Sequence, residues 1–552
     1  MKRPIRMPDS ADTRTTFIDL FCGCGGFTLG MLRAGFDCLA AIDFNEVATV
    51  TLRENLEGAR QVLNRDLTNF PPAELSALIG TRSLDVIVGG PPCQGFSTAR
   101  QRDGSNHGST RFKEDNRRHL YRHFLEYVEF FQPKVFVVEN VLGLRSAAGG
   151  RYFTAVQHES RVLGRANGLP GYRVHAQIED ATTLGVPQKR RRQLIIGVRA
   201  DLAGYFSPEL KPAERAAVGV TLGDAICDLP PLTAGEGDND APYDFVRRRT
   251  FLMGSRQSFR RRYLFSVLEV NEADRLLNHS ARPHSARDLR DFARIGEGQS
   301  SASLMREGVR FEFPYKKTTF KDRYTRQHRN RPCSTIVAHL SKDGLMFIHP
   351  TQNRSLTPRE AARVQTFPDW FRLPSARTHS FRLVGNAVPP LVAEAVGCAI
   401  LRFLSRSGPV SLEAGMPGAI NSRTVTPDTT VHARDLLNRL MRVDRSELRK
   451  MPDTEFLLGW YALLELFPDL HPDNALNHGE EVLESETPTP EFRTRFVRTG
   501  WPVSLDLIGQ EAWRRYKARR YSPDEFYRIT DNTVLGSPSY PVHSCRLGTT
   551  TN

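Results

Sequence analysis

Cys93 sits in VGGPPCQGFS, behind two prolines, at the end of an apolar run and the head of a polar stretch. A cysteine kept for packing has no need of that setting, whereas a nucleophilic thiolate must be presented to its substrate. The run VFVVENV ends in Glu139 and Asn140. A carboxyl group there could donate a proton, or serve as a helix cap or a hydrogen-bond hub. In GVPQKRRRQLIIG, consecutive cations from Lys189 to Arg192 precede another apolar run. They could be a solvated charge run, or they could hold a phosphate near the nucleophile.

A second group of residues suits a nucleoside. FIDLFCGCGGFTLGMLRAGF starts as a strand, breaks at Gly23, Gly25 and Gly26, and resumes as a helix. Such a junction lets a ligand lie against backbone and a helix N-terminus, although it departs from GxGxxG and a tight turn holding nothing reads alike. The next strand ends in Asp43, about twenty residues after the first glycine, where an acid can accept from both ribose hydroxyls. Asp66 in NRDLT falls where a strand-end side chain could reach an adenine amine. Each acid alone reads as a solvated loop residue or a cap; with the glycines, they favour a nucleoside. A metal is not expected: Cys22-Gly-Cys24 is followed by no second pair at ligand spacing, and none of the 8 cysteines forms a CxxC.

These residues need a scaffold, and the chain around them alternates strand and helix. Apolar runs predict strands at Thr16–Phe21, Cys38–Asp43, Leu84–Val88, Lys134–Glu139, Tyr172–Ile178 and Gln193–Val198, with a weaker one before Asp66. Between them, HLYRHFLEYVEFF places Leu120, Phe124, Val128 and Phe131 on one helical face. Such alternation implies a doubly wound α/β fold with a mostly parallel sheet covered on both sides. Cys93 and Glu139 then fall at the carboxyl edge of the sheet, where such folds place their sites. From Gln94 to about Arg117 the chain is nearly bare of apolar anchors and reads as a loop that could act as a lid.

Regularity fades between about 201 and 355 and returns with LTPREAARVQTFPDWF and GNAVPPLVAEAVGCAILRFL. A segment rich in Gly, Pro, Ser and Thr follows. Beyond it, HARDLLNRLMRV and EFLLGWYALLELF have amphipathic spacing, and WRRYKARRY could be a phosphate-binding helix or a solvated helix face. The formal net charge is +14, and between Ala241 and Asn330 Lys and Arg outnumber Asp and Glu about two to one. That balance favours a polyanionic partner over solubility alone. No uninterrupted apolar run approaches the roughly 18 to 20 residues that span a bilayer, and the N-terminus lacks the apolar core of a signal peptide. A cytoplasmic location without membrane attachment is therefore expected.

Taken in order, DLFCGCGG, a strand ending in Asp43, RDLT, GGPPCQGFS, VENV, QKRRR, REAARVQTFPDWF and GNAVPP resemble the DNA (cytosine-5)-methyltransferases, over about residues 15 to 405. The resemblance implies a sheet of the S-adenosylmethionine-dependent methyltransferase type and a smaller irregular target-recognition domain; outside it, the amphipathic segments suggest a mainly helical C-terminal extension. The corresponding boundaries are 1–200 for the catalytic, cofactor-binding domain, 201–355 for target recognition, 356–406 for the return to the catalytic domain, 407–430 for a linker and 431–552 for the extension. It further implies S-adenosylmethionine contacts from Phe21, Gly23, Gly25, Gly26, Asp43, Asp66, Pro92 and Asn386. Cys93 would be the nucleophile, Glu139 the acid that supports it, and Arg190 and Arg192 the arginines near the target base and its phosphate. Gln94 and Ser97 would cover a flipped-out cytosine in double-stranded DNA. REAARVQTFPDWF would help organise the recognition domain, whose arginines would contact phosphate or solvent, a handful reading bases. The family often carries Glu at the position of Asp43; both can bind a diol.

That chemistry suits these residue types. A thiolate adding to carbon 6 makes carbon 5 of cytosine nucleophilic, and an acid at ring nitrogen 3 draws off the developing charge. A cognate restriction endonuclease is an expected partner, no obligatory protein partner is evident, and DNA would hold the protein at the nucleoid. A tRNA cytosine-5 methyltransferase is disfavoured by the long segment between QKRRR and the next motif. A non-catalytic DNA-binding regulator would have lost the cysteine or the glycines, and a nicotinamide or flavin oxidoreductase has no use for Cys93, Glu139 and QKRRR together.

Overall fold

The computed structural model describes residues 14–92, 120–202, 206, 209–253, 256–271, 275–313 and 324–406. Cys93, Gln94, Ser97, the lid expected to reach Arg117, the linker and the extension lie outside them. The chain divides into two units, Met1–Leu412 and Glu413–Asn552, and all described residues belong to the first.

Among the described residues the main sheet has the order β3-β2-β1-β4-β5-β7-β6. Its strands are β1 Thr16–Leu20, β2 Asp37–Asp43, β3 Val62–Asn64, β4 Val86–Gly89, β5 Val135–Asn140, β6 Tyr172–Asp180 and β7 Arg191–Arg199. The first five run parallel. β7 runs antiparallel to both β5 and β6. Every strand expected from the apolar runs is present, including the weak one before Asp66. The antiparallel pair is the addition: spacing of apolar residues reveals a strand but not its direction.

Every residue of β2, β4 and β5 is buried, which is why they read as continuous apolar runs. Side chains alternate between two cores. Phe17, Val86, Val88, Val135 and Val137 face one, with helices α1 (Gly26–Arg33) and α8 (Pro390–Leu404). Ile18, Leu20, Ile87, Phe136 and Val138 face the other, with α3 (Pro72–Ile79) and α4 (Leu120–Phe131). On α4, Phe124, Val128 and Phe131 are buried as their spacing predicts, but Leu120 is only half-buried and Tyr121, Leu125 and Tyr127 widen the stripe. Helix α2 (Glu46–Asn55) follows β2, and α5 (Arg151–Val162) precedes β6.

Helix α8 crosses α1 at backbone distance, for a Cβ on Gly30 would lie 2.4 Å from both Ala393 Cβ and the Pro390 carbonyl oxygen. By length and composition, Arg377–Leu404 is apolar enough to cross a membrane, yet 78% of its most apolar window is buried inside the molecule. The span has the surroundings of core helices.

The irregular region contains short helices such as Leu222–Ile226 and Phe245–Phe251, and an antiparallel pair, β8 (Gly237–Ala241) and β9 (Leu276–Ser280). Much of it packs onto the main core: Leu222, Ile226, Tyr263, Leu264 and Val267 join the cluster of Phe17. A separate small core gathers Phe292, Ile295, Leu304, Phe313, Tyr324 and Ile348.

Helix α6 (Pro358–Val364) carries fully buried arginines into this junction. Arg363 pairs with Asp228 and Asp369 at 2.6 Å each. Arg359 donates to the carbonyls of Leu277, Pro368 and Phe371. Arg354 pairs with Glu360 at 2.6 Å. Burial opposes charge on Asp369, yet Arg363 outweighs it and holds that carboxyl below its usual range. A buried guanidinium costs much desolvation, so these pairs persist because every donor finds an oxygen; they fix register rather than add stability outright.

Candidate active site

β1 and β4 are neighbours from which the chain winds to opposite sides, and both empty at the same edge of the sheet. That switch point is where open α/β sheets bind ligands. After β1, Phe21, Gly23 and Gly25 all take left-handed backbone, with φ of 61°, 56° and 88°. A Cβ on Gly23 would meet nothing within 4 Å, so the loop faces open space there. Gly25 caps α1 without a side-chain hydrogen bond, and the first turn carries no acid. The leading N–H groups of α1 are thus not taken by a side-chain cap.

Gly26 has a different task. A Cβ there would lie 2.2 Å from the Val388 carbonyl oxygen, so the GNAVPP segment presses directly on the start of α1. Asn386 ends α7 (Arg377–Asn386), exposed, two residues before that contact.

Asp43 ends β2 and turns back to the glycine loop. Its Oδ2 accepts from the Gly23 N–H at 2.9 Å and its Oδ1 from the Asn45 N–H at 2.8 Å. Burial raises its pKa while these two bonds lower it, with a net upward shift. Each oxygen keeps a second lone pair for a diol. Beyond it, Phe44 is 66% exposed, an aromatic ring left without cover. Asp66 is exposed close by: Arg65 N–H donates to the Asp43 carbonyl at 3.1 Å, and Asp66 Oδ1 accepts from Thr68 N–H and Oγ1. These features suit S-adenosylmethionine: open space over Gly23, an acid held against the loop, and a bare ring for a base.

On the other side of the switch point, Gly89 packs so closely that a Cβ would lie 2.3 Å from the Leu20 carbonyl oxygen. Asn140 Nδ2 donates to the Pro91 carbonyl at 3.3 Å, tying VENV to GGPP. Pro92 follows, and Cys93 is one peptide bond beyond the described turn. Glu139 is buried at the end of β5, its Oε2 3.6 Å from where a Cβ on Gly90 would stand. Because β7 is antiparallel, its first residues return to the carboxyl edge, with Asn140 opposite Gln193. Arg192 Nε therefore lies 3.0 Å from Glu139 Oε1. The N–H is not aimed at that oxygen, which has no hydrogen bond. The pair is an ion pair by distance with an acceptor to spare.

The two arginines singled out in QKRRR part company. Arg190 is 2% exposed and donates to the carbonyls of Ile336 at 3.0 Å and Ala387 at 2.8 Å. Its guanidinium ties chain segments together, whereas that of Arg192 stands at the carboxylate. Of the two, Arg192 has its guanidinium beside Glu139, and Arg190 has its own on backbone carbonyls.

Sequence reasoning passed over several residues. Phe44 was signalled by an aromatic directly after the strand-end acid. Asp19 was signalled by an acid inside an apolar strand: it is fully buried, accepts from Thr28 Oγ1 at 2.6 Å, and burial pushes its pKa up to about 7 against that bond. Gln188 and Gln365, both fully buried, gave no signal.

The basic region also differs from expectation. Many of its arginines are engaged by protein oxygens, some of them while still exposed. Arg256 and Arg260 pair with Asp224, Arg290 and Arg294 with Glu312, and Arg329 with Glu297. Arg326 donates to the carbonyls of Phe292, Ile295, His349 and Gln352. Loops short of regular hydrogen bonds leave carbonyls unsatisfied, and guanidinium groups fill that need. Lys189, Arg191, Arg249, Arg261, Arg310 and Arg331 are exposed and have no ion-pair partner among the described residues.

A family model described as C-5 cytosine-specific DNA methylase matches residues 15–402. The chain is 33% identical over 394 residues to type II methyltransferase M.DdeI of Desulfomicrobium norvegicum, covering 69% of this chain and 86% of that protein. It is 33% identical over 391 residues to type II methyltransferase M1.HphI of Haemophilus parahaemolyticus, covering 70% and 87%. Among solved structures, a prophage-encoded E. coli protein named as a DNA modification methyltransferase superposes with a TM-score of 0.52 at 26% identity, over 71% of this chain and 99% of that one.

Proposed function

The chain belongs to the C-5 cytosine-specific DNA methylases, and from that premise we propose that it methylates carbon 5 of a flipped-out cytosine within a specific double-stranded DNA sequence, through a covalent Cys93 adduct. The family uses S-adenosylmethionine as its methyl donor. The observation that carries the reading is the meeting of Glu139, Arg192 and the Gly90–Pro91 backbone at the same sheet edge as the glycine loop and Asp43.

The loop from Phe21 to Gly26 and the start of α1 hold the cofactor's amino-acid end. Asp43 accepts from its ribose hydroxyls, Phe44 stacks on its adenine, and Asp66 accepts from the adenine amine; Pro92 and Asn386 complete the walls. When bound, S-adenosylmethionine supplies the electrophilic methyl group that carbon 5 takes.

This chain's residues make carbon 5 able to take it. Cys93 Sγ, as thiolate, bonds to carbon 6, and the electrons of the 5,6 double bond move toward carbon 5 as Glu139 donates a proton at nitrogen 3. Arg192 positions that carboxyl and adds positive charge beside the ring. A solvent base takes the carbon 5 proton, its bonding electrons re-form the 5,6 double bond, and the carbon 6–sulfur bond breaks to release Cys93 as thiolate, with the nitrogen 3 proton returning to Glu139. Arg190 acts by positioning Arg192 and the GNAVPP segment. Gln94 and Ser97 cover the flipped base, whose removal from the stack is what admits the thiolate.

Residues 1–200 and 356–406 form the catalytic domain in this reading, 201–355 select the target, 407–430 link, and 431–552 form an added unit. The type II names of the relatives support a role beside a cognate restriction endonuclease, and the reading places the protein in the cytoplasm on nucleoid DNA. Methyl transfer from labelled cofactor to duplex DNA tests the reaction. Cys93→Ala is expected to abolish it while DNA binding survives; turnover retained in that variant removes Cys93 from the mechanism.

A further inference from the structure

Asn386 on the cofactor side and Arg192 on the base side belong to segments remote in sequence, yet one buried polar knot holds both. Gln365 lies at its centre, just beyond α6. Its Nε2 donates to the carbonyls of Val384 at 2.6 Å and Ala387 at 3.3 Å. Its Oε1 accepts from Gln188 Nε2 at 2.5 Å. Gln188 in turn donates to the Val364 carbonyl at 3.2 Å and accepts from the Ile336 N–H at 3.0 Å. Arg190 spans the same ground, reaching Ile336 at 3.0 Å, Ala387 at 2.8 Å and Gly385 at 3.5 Å.

The knot has two outlets. Gly385 and Ala387 flank Asn386, so the backbone on both sides of that residue is fixed by Arg190, and the carbonyl of Ala387 is fixed by Gln365 as well. The next residue, Val388, carries the carbonyl that a Cβ on Gly26 would strike. At the other outlet, Arg190 is the last residue before β7, and two positions on Arg192 meets Glu139. The Asn386 segment is also packed tightly against the chain after Ile336: a Cβ on Gly385 would stand 2.3 Å from Ala338 N. Both amide groups, of Gln188 and Gln365, are matched at nitrogen and oxygen, so removing either leaves buried partners unmatched.

We propose that Gln365 is a positioning residue that couples the cofactor wall at Asn386 to the Arg192–Glu139 pair. It touches neither ligand; it acts through Gln188, Arg190 and the Ala387 carbonyl. The proposal rests on the placement of Asn386 at the cofactor given above.

The test compares full-length Gln365→Met, which keeps length and loses the hydrogen bonds, with the native protein. S-adenosylmethionine Kd, kcat for methyl transfer, DNA affinity without cofactor, and thermal midpoint are measured. The variant is expected to bind cofactor about tenfold more weakly and to lose kcat by a similar factor, the scale of network coupling. Its DNA affinity should stay within about twofold. In an Asn386→Ala background, the cofactor penalty of Gln365→Met should largely vanish, because both act through one wall. A lower thermal midpoint with Kd and kcat unchanged, or penalties that simply add, overturns the coupling. Should Gln365→Met fail to fold, Gln365→Glu keeps the acceptor for Gln188 and carries the same comparison. Asn386→Ala with native cofactor affinity would instead remove Asn386 from the cofactor site, and the joint effect of Gln365→Met on Kd and kcat would still decide the coupling.

Discussion

Asp43 locks the glycine loop through the Gly23 and Asn45 N–H groups, and in the proposed reading its remaining lone pairs accept from the ribose. Asp43→Ala should therefore weaken cofactor binding by about tenfold or more, while DNA binding in filter or anisotropy assays changes little. Equal losses in both would undo its assignment to the ribose. Residues of this kind were readable because strand-end acids and glycines follow from the periodicity around them. Arg190 was not readable in the same way. Cations two positions apart in QKRRR look alike in sequence, yet one is buried against Ile336 and Ala387 and the other meets Glu139. Only the tertiary course of GNAVPP distinguishes them.

Elements bring these side chains to one edge by two devices. The parallel strands β1, β2, β4 and β5 end there, and the antiparallel β7 begins there. The strands were legible as apolar runs; the hairpin direction was not, since alternation is the same for either sense. The close seat of α1 on GNAVPP was hidden too, because a glycine in a loop motif reads as a turn. Gly26 must be glycine for lack of space rather than for its dihedral angles. Gly26→Ala would place a methyl group 2.2 Å from the Val388 carbonyl oxygen and should cost about 1–3 kcal/mol, the usual range for overpacking. Denaturant unfolding should show it, together with weaker cofactor binding; native stability in that variant would contradict the contact.

At the scale of the molecule, a formal net charge of +14 suggests a DNA-binding face, but charge alone overstates it. Arg363 and Asp228 pair across 135 residues of sequence, and no local pattern announces such a match. Composition thus showed the sign of the partner, while the assignment of each cation waited on the fold. Lys189 and Arg191, which flank the knot, are exposed and have no ion-pair partner among the described residues. Replacing both with Ala should flatten the slope of log K for DNA against log salt by about 0.9 per lost phosphate contact. An unchanged slope would assign both to solvent.

The central claim is that this chain methylates carbon 5 of cytosine in a specific DNA sequence. Bisulfite sequencing of plasmid DNA from a methylation-free host expressing the protein tests it most directly. Protected cytosines confined to one short recurring sequence, and absent with Cys93→Ala, are the predicted result. Uniform conversion of every cytosine, from cells holding folded protein that binds S-adenosylmethionine, would contradict it.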